Sequence, residues 1–176
     1  PTSWNEAFAA IAAKMQATRR DRVAALAGPL CDAESMVALK DLICQNLECR
    51  TDGSKIDPSV RAGYIFNSGI AGIEKADAIL LIGCNPRWEG AMVNARIHKT
   101  WRNKRVKVGV IGPALDLTYP YYHAGDDMAA LEKMVADYSG AVKSERPMFI
   151  VGSGVFTRPD GAAIQAMLYK AAIALG

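Results

Sequence analysis

The sequence predicts an α/β domain of three layers, with a mostly parallel sheet of about five strands held between helices. Three observations predict it. Helical and strand patterns alternate along nearly the whole chain. The clearest strand runs, 78–83 (AILLIG), 106–112 (VKVGVIG) and 148–152 (MFIVG), are almost continuously apolar, as in strands covered on both faces. Each of them ends at a glycine that can turn the chain into the next segment. At 176 residues the chain is long enough to bury one core without disulfides, and a single domain over 1–176 is expected.

The elements follow in order. Ser3 and Glu6 have the spacing of a capping box, and Trp4, Phe8, Ile11 and Met15 recur at helical spacing over about 4–19. The run 22–27 (RVAALA) has strand length and stops at Gly28-Pro29. Asp32 can cap a helix over about 33–46, whose apolar face carries Met36, Leu39, Leu42 and Ile43. Residues 47–50 (LECR) fit a short strand, and 52–59 are the most loop-like segment. Residues 60–68 fit either a short strand or an irregular crossing, and 69–76 (GIAGIEKA) a helical turn or two. After the strand at 78–83, Val93, Ile97 and Trp101 form one stripe of a helix over 89–102. The strand at 106–112 is followed by a loop rich in proline and tyrosine, then by a helix over about 127–138 capped by Asp126. The strand at 148–152 and a helix over about 160–175 complete the pattern.

Composition narrows the function. The net charge of +3 gives no argument for nucleic acid. Charge is locally uneven, however: Arg87 to Lys107 holds seven Arg or Lys and one acid, Glu89. That segment is either a solvated basic face or a docking surface for an acidic partner or phosphate. No run of about 18 uninterrupted apolar residues exists, so no membrane insertion is expected. Cys31, Cys44, Cys49 and Cys84 form no C-x-x-C pair, so no metal centre is expected among them, and reduced thiols in a cytosol-like compartment fit the spacing. The start at Pro1 without a signal-peptide pattern, and the end inside a helical pattern, are expected of a piece of a longer multidomain chain.

In a Rossmann-like parallel sheet, ligands bind beyond the carboxyl ends of the strands. The strand ends at Gly28-Pro29, Gly83-Cys84-Asn85-Pro86, Gly112-Pro113-Ala114 and Gly152-Ser153-Gly154 are therefore the candidate sites. No complete G-x-G-x-x-G is present: after Gly152 and Gly154 the third glycine is replaced by Thr157, and no G-K-[ST] follows. The two glycines read better as relief for a tight strand-to-helix turn than as a nucleotide cradle. Nucleophilic catalysis is poorly supplied, because His98 and His123 are the only histidines and no G-x-S-x-G elbow exists. Cys84 reads as a small thiol packed behind its turn, Glu89 and Asp116 as carboxylates whose separation nothing local fixes, and Tyr119, Tyr121 and Tyr122 as loop-packing residues or a stacking surface. No catalytic residue is expected.

Several stretches resemble a known family. Residues 3–15 (SWNEAFAAIAAKM) and 76–97 (ADAILLIGCNPRWEGAMVNARI) are similar to the opening helix and the strand and turn of molybdopterin-dependent oxidoreductases. Within that group, GCNPRWEGAMVNARIHKTW, VGVIGPALDLTYPYYHAGDD and RPDGAAI resemble the large iron–sulfur subunit of respiratory complex I, NADH-quinone oxidoreductase, of the mitochondrial and alphaproteobacterial kind. The resemblance implies a region of that subunit downstream of its iron–sulfur domains. Clusters are then expected upstream in the parent subunit and no cofactor in this region, since the four cysteines match none of the family's cluster motifs. Where cofactor-binding relatives carry D-P-R, this chain reads Gly112-Pro113-Ala114, which keeps the proline and lacks both charges. Asn85, Pro86, Arg87 and Glu89 are then vestiges of a binding turn. The implied role is non-catalytic: scaffolding the peripheral arm, with Arg87, Arg96, Lys99 and Arg102 contacting other subunits or the rest of the same chain. The implied location is the cytoplasmic face of the bacterial inner membrane or the mitochondrial matrix side. The alternative is an oxidoreductase fragment that binds molybdopterin guanine dinucleotide at 85–89 and 112–116. A third reading places a nucleotide at Gly152 to Phe156.

Overall fold

The structure, a computed structural model, describes residues 1–28, 30–43, 47–48, 53–140 and 144–175. Pro29, Cys44, Cys49, Arg50 and Asp52, which figured in the expected turns, thiols and loop, lie outside the described residues. The chain divides into two compact units, Pro1–Asp52 and Gly53–Gly176.

In the first unit, α1 (Trp4–Ala17) starts with the expected capping box. The Ser3 hydroxyl accepts from the Glu6 N–H at 3.3 Å, and the Ser3 N–H donates to the Glu6 carboxylate at 2.9 Å. Asp32 caps α2 (Ala33–Ile43) by accepting from the Ser35 N–H at 2.7 Å. β1 (Ala25–Leu26) and β2 (Leu47–Glu48) pair in parallel as a sheet of their own.

The second unit holds the main sheet. β3 (Ala78–Ile82) lies between β4 (Lys107–Ile111) and β6 (Pro147–Val151), and β5 (Tyr122–Gly125) pairs outside β4, giving the order β5-β4-β3-β6 with every pairing parallel. Among the described residues the main sheet has four strands, where about five were expected in one sheet. The patterns at 22–27 and 47–50 produced the separate pair β1–β2, and β5 arose inside the expected tyrosine loop. Residues 60–68 contain no strand but a 3-10 turn at Arg61–Gly63 and further turns.

Alternation along β3 explains the layers. Ile79 and Leu81 pack into one core with Val108, Val110 and Ile97. Ala78, Leu80 and Ile82 face the other way, into a core with Leu131, Ile164 and Leu168. The first core is covered by α5 (Ala91–Lys104), and the second by α6 (Met128–Gly140) and α7 (Gly161–Leu175). All five β3 residues are buried, as their unbroken apolar run requires. Asp127, rather than the expected Asp126, caps α6 by accepting from the Ala130 N–H at 2.7 Å. α3 (Gly69–Gly72) precedes β3 along the chain, and α4 (Pro86–Glu89) lies between β3 and α5. The expected helix over 89–102 is split at Gly90, because Asn85 and Pro86 start a helical turn earlier and Gly90 leaves helical geometry.

Candidate functional site

The carboxyl ends of β3, β4 and β6 meet at three glycines. The Gly83 N–H donates to the Ile111 carbonyl at 2.8 Å, and the Gly152 N–H donates to the Ile82 carbonyl at 2.9 Å. Gly83 has φ +55° and Gly112 φ +126°, conformations that L side chains rarely adopt. The approach is tightest at Gly152, where a Cβ would collide with the Gly83 carbonyl oxygen and lie 2.8 Å from the Cβ of Cys84. Val155 and Phe156, in the 3-10 turn Ser153–Thr157, are buried behind this junction. Gly152 and Gly154 therefore differ: the first is required by close packing, while a Cβ on the second would meet nothing within 4 Å. Gly152, whose φ of −72° any residue adopts, is needed for close packing, which differs from the turn relief expected of both glycines.

Asn85 and Glu89 satisfy each other's turn. The Asn85 side chain accepts from the Arg87 N–H at 3.1 Å, and the Asn85 N–H donates to the Glu89 carboxylate at 2.6 Å. Pro86 occupies the first helical position, where its missing N–H costs nothing. The Arg87 guanidinium crosses from the β3 end to the segment after β4, donating to the Asp116 carboxylate at 2.5 Å and to the Asp116 carbonyl at 3.1 Å. Glu89 and Asp116 are thus engaged in separate contacts. The cation that would meet a phosphate at these strand ends already has a carboxylate partner, and Gly112-Pro113-Ala114 supplies no side-chain charge. The residues at these two ends do not form a cation-lined cradle fitting a pterin nucleotide.

Burial pushes the Cys84 thiol up to about 12, reinforced by the nearby Glu89 carboxylate, and its sulfur lies 3.6 Å from the Ile150 carbonyl. It is a packed thiol whose ionisation burial opposes. Cys31 is exposed, and no cluster of His, Cys, Asp and Glu suited to a metal occurs among the described residues.

The tyrosine loop is pinned from within. The Tyr121 hydroxyl accepts from the Leu115 N–H at 2.8 Å and donates to the Leu115 carbonyl at 2.7 Å. The Tyr119 hydroxyl donates to the buried Asn94 side chain at 2.9 Å, and burial raises its pKa. Tyr122 is exposed on β5. His98 approaches Thr118 at 3.3 Å, and His123 contacts the Gly112 carbonyl at 2.7 Å.

The basic helix is partly neutralised within its own unit. Arg96 and Lys99 both donate to the Glu74 carboxylate, at 2.5 and 2.9 Å. The Lys99 bond, followed by that from Arg96, holds the Glu74 carboxyl below its ordinary range. Arg102 is exposed at the far end of α5, and Arg105 closes the helix in a left-handed conformation with its guanidinium 4.7 Å above the Trp101 ring. Sequence reasoning missed Glu74, because a partner two dozen residues upstream leaves no local pattern. It also missed the buried Gln165, which accepts from the Asp57 N–H at 2.7 Å and donates to the Gly63 carbonyl at 3.1 Å, fastening the irregular 53–63 segment to α7.

No helix among the described residues is long and apolar enough to cross a membrane. The family described as molybdopterin oxidoreductase matches residues 1–176. The chain is 44% identical over 170 residues to the mitochondrial NADH dehydrogenase [ubiquinone] iron-sulfur protein 1 of Solanum tuberosum, covering 92% of this chain and 23% of that protein. It is 42% identical over 177 residues to the mitochondrial NADH-ubiquinone oxidoreductase 78 kDa subunit of Neurospora crassa, covering 93% and 24%. It is 38% identical over 176 residues to a subunit of the NADH-quinone oxidoreductase of Rickettsia bellii, covering 96% and 26%. These names bear out the resemblance to the large subunit of complex I, and the chain spans about a quarter of the length of the curated relatives it matches. The chain belongs to the molybdopterin oxidoreductase family.

Proposed function

We propose that the chain is a structural, non-catalytic region of the large iron–sulfur subunit of an NADH:quinone oxidoreductase, supporting electron transfer by scaffolding the peripheral arm. One observation carries the non-catalytic part: Arg87 is paired with Asp116 across the two strand ends that a pterin nucleotide would bridge. The tight junction of Gly83 and Gly152 supports the same reading. The relatives' printed names support the subunit assignment. In this reading the region binds no cofactor, and iron–sulfur clusters belong to other parts of the parent subunit. Its partners are the rest of that subunit and its neighbours in the complex, and it lies on the cytoplasmic or matrix side without entering the bilayer. Arg102, together with Arg87, Arg96 and Lys99, supplies the contact surface.

The alternative, binding of a molybdopterin guanine dinucleotide, is favoured by the family match. Thermal melting with guanosine diphosphate at millimolar concentration separates the two. An unchanged melting temperature and no stoichiometric molybdenum or iron in the purified chain are the expected results. A saturable upward shift, or a stoichiometric metal, replaces the structural reading with the cofactor-binding one.

A further inference from the structure

α5 turns one stripe to the core and another to solvent. Asn94, Ile97 and Thr100 are its buried residues. Met92, Ala95, Lys99 and Arg102 are exposed at three- and four-residue spacing, a stripe about 15 Å long. The exposed stripe is cationic. Arg96, beside it, and Lys99 share the single Glu74 carboxylate, and Arg102 has no ion pair among the described residues, so three cations face one acid. Arg96 and Lys99 each direct one donor at Glu74. A guanidinium and an ammonium carry further N–H groups that can reach a second acceptor. The stripe opens on an apolar side chain: Met92 is 66% exposed, and Trp88 of α4, four residues earlier, is 81% exposed. Tryptophan, methionine and arginine are the residue types that protein–protein contacts enrich.

We propose that this stripe of α5 docks an acidic segment of a separate polypeptide. Arg102 and the remaining N–H groups of Arg96 and Lys99 receive the partner's carboxylates, and Met92 receives an apolar side chain. Charge complementarity sets the partner's chemistry. The surface holds an excess of positive charge, and Glu89, the acid nearest Met92 along the chain, already accepts from the Asn85 N–H. Glu74 orders Arg96 and Lys99 before the partner arrives, which lowers the entropy cost of binding. A bilayer surface fits less well, because polybasic lipid sites gather about four to eight Lys and Arg, and here an acid already occupies two of three cations. A segment of the same polypeptide is already at high effective concentration and gains little from long-range attraction, whereas a separate chain gains association rate from it. The proposal rests on the reading that this region contacts neighbouring protein, and it adds the place and the chemistry of that contact.

The test uses the complete parent polypeptide, purified with whatever it binds and treated with a carbodiimide, which joins an amine to a carboxylate without a spacer. The Lys99–Glu74 adduct is the internal control. A second adduct, from Lys99 to an aspartate or glutamate of a separate polypeptide, is the expected result. That polypeptide is then titrated against the parent. Arg102→Glu is expected to weaken binding about tenfold or more, and Arg102→Lys to retain it. Lys133→Glu, the same change of charge at an exposed position of α6, is expected to leave binding unaltered. Raising potassium chloride from about 50 to about 200 mM is expected to weaken binding to the parent. Adducts of Lys99 to Glu74 alone, or to a carboxylate elsewhere in the same polypeptide, overturn the proposal. So does equal weakening by Arg102→Glu and Lys133→Glu. Binding of phosphatidylserine vesicles or of RNA that Arg102→Glu abolishes assigns the stripe to another class of partner and overturns it as well. These failures leave the structural reading in place, which falls instead to a melting shift with guanosine diphosphate or to a stoichiometric metal.

Discussion

Replacing Gly152 by Ala tests whether the strand ends are closed by packing. The backbone of Gly152 has φ −72° and ψ 148°, which alanine adopts freely, so the entire effect is steric. The added methyl meets the Gly83 carbonyl oxygen and carbon and the Cys84 Cβ, none of which is the far end of a flexible side chain. Relief requires β3 and β6 to separate at their carboxyl ends, where the Gly152 N–H donates to the Ile82 carbonyl. Overpacking of a well-packed site costs about 1–3 kcal/mol, and blockage by backbone places this case near 3. For a chain of this size that lowers the melting temperature by about 6–12 °C. Gly154→Ala, two residues on, is the internal control. Its methyl meets nothing within 4 Å, and stability within about 1 kcal/mol of the parent is expected. Urea titration and thermal melting of both variants are the assay. Equal stability of the two variants, or a loss below about 0.5 kcal/mol for Gly152→Ala, refutes the claim that the junction is closed.

Other perturbations read different parts of the unit. Gln165→Leu removes both the acceptor for the Asp57 N–H and the donor to the Gly63 carbonyl, and a loss of about 2 kcal/mol is expected in urea unfolding. The Glu74 carboxyl titrates below its ordinary 4.5, so its stabilising pairs are complete above pH 4.5 and are lost as pH falls through the depressed value. The gap in melting temperature between the parent and Glu74→Gln should therefore shrink below pH 4.5, and a gap constant from pH 7 to pH 3 contradicts the pairing. With its thiol pushed up to about 12, Cys84 should resist iodoacetamide at pH 8 until the chain is unfolded, whereas exposed Cys31 labels at once, as peptide mass spectrometry can follow.

The sheet's interior was legible because β3, β4 and β6 are nearly pure apolar runs, and the helices because α1, α5 and α7 carry caps or stripes at helical spacing. β5 was hidden: its sequence, Tyr122-His123-Ala124-Gly125, is short and polar, and it joins the sheet only through its register with β4. The division of the strands between two sheets was likewise invisible, since a run of strand length does not announce its neighbour. At the candidate site, Asn85, Pro86 and the missing charges at Gly112-Pro113-Ala114 could be read directly. The contacts that decide their use could not. Arg87 finds Asp116, and Arg96 and Lys99 find Glu74, across separations at which sequence carries no spacing signal. A segment that is strongly basic when read along the chain is therefore partly neutral in space.

The order of the sheet also sets an order of synthesis. β3 is the most buried strand, yet its two neighbours emerge at different times: Ala78 pairs first with Lys107 and only later with Pro147. At roughly 5–20 residues per second, the ribosome takes seconds to deliver β6 after β3 has left it. During that interval one edge of Ala78–Ile82, an uncharged run of apolar residues, has no native partner. The nascent chain is most prone to aggregate in that window, and a chaperone that binds short apolar strands would find its principal substrate there.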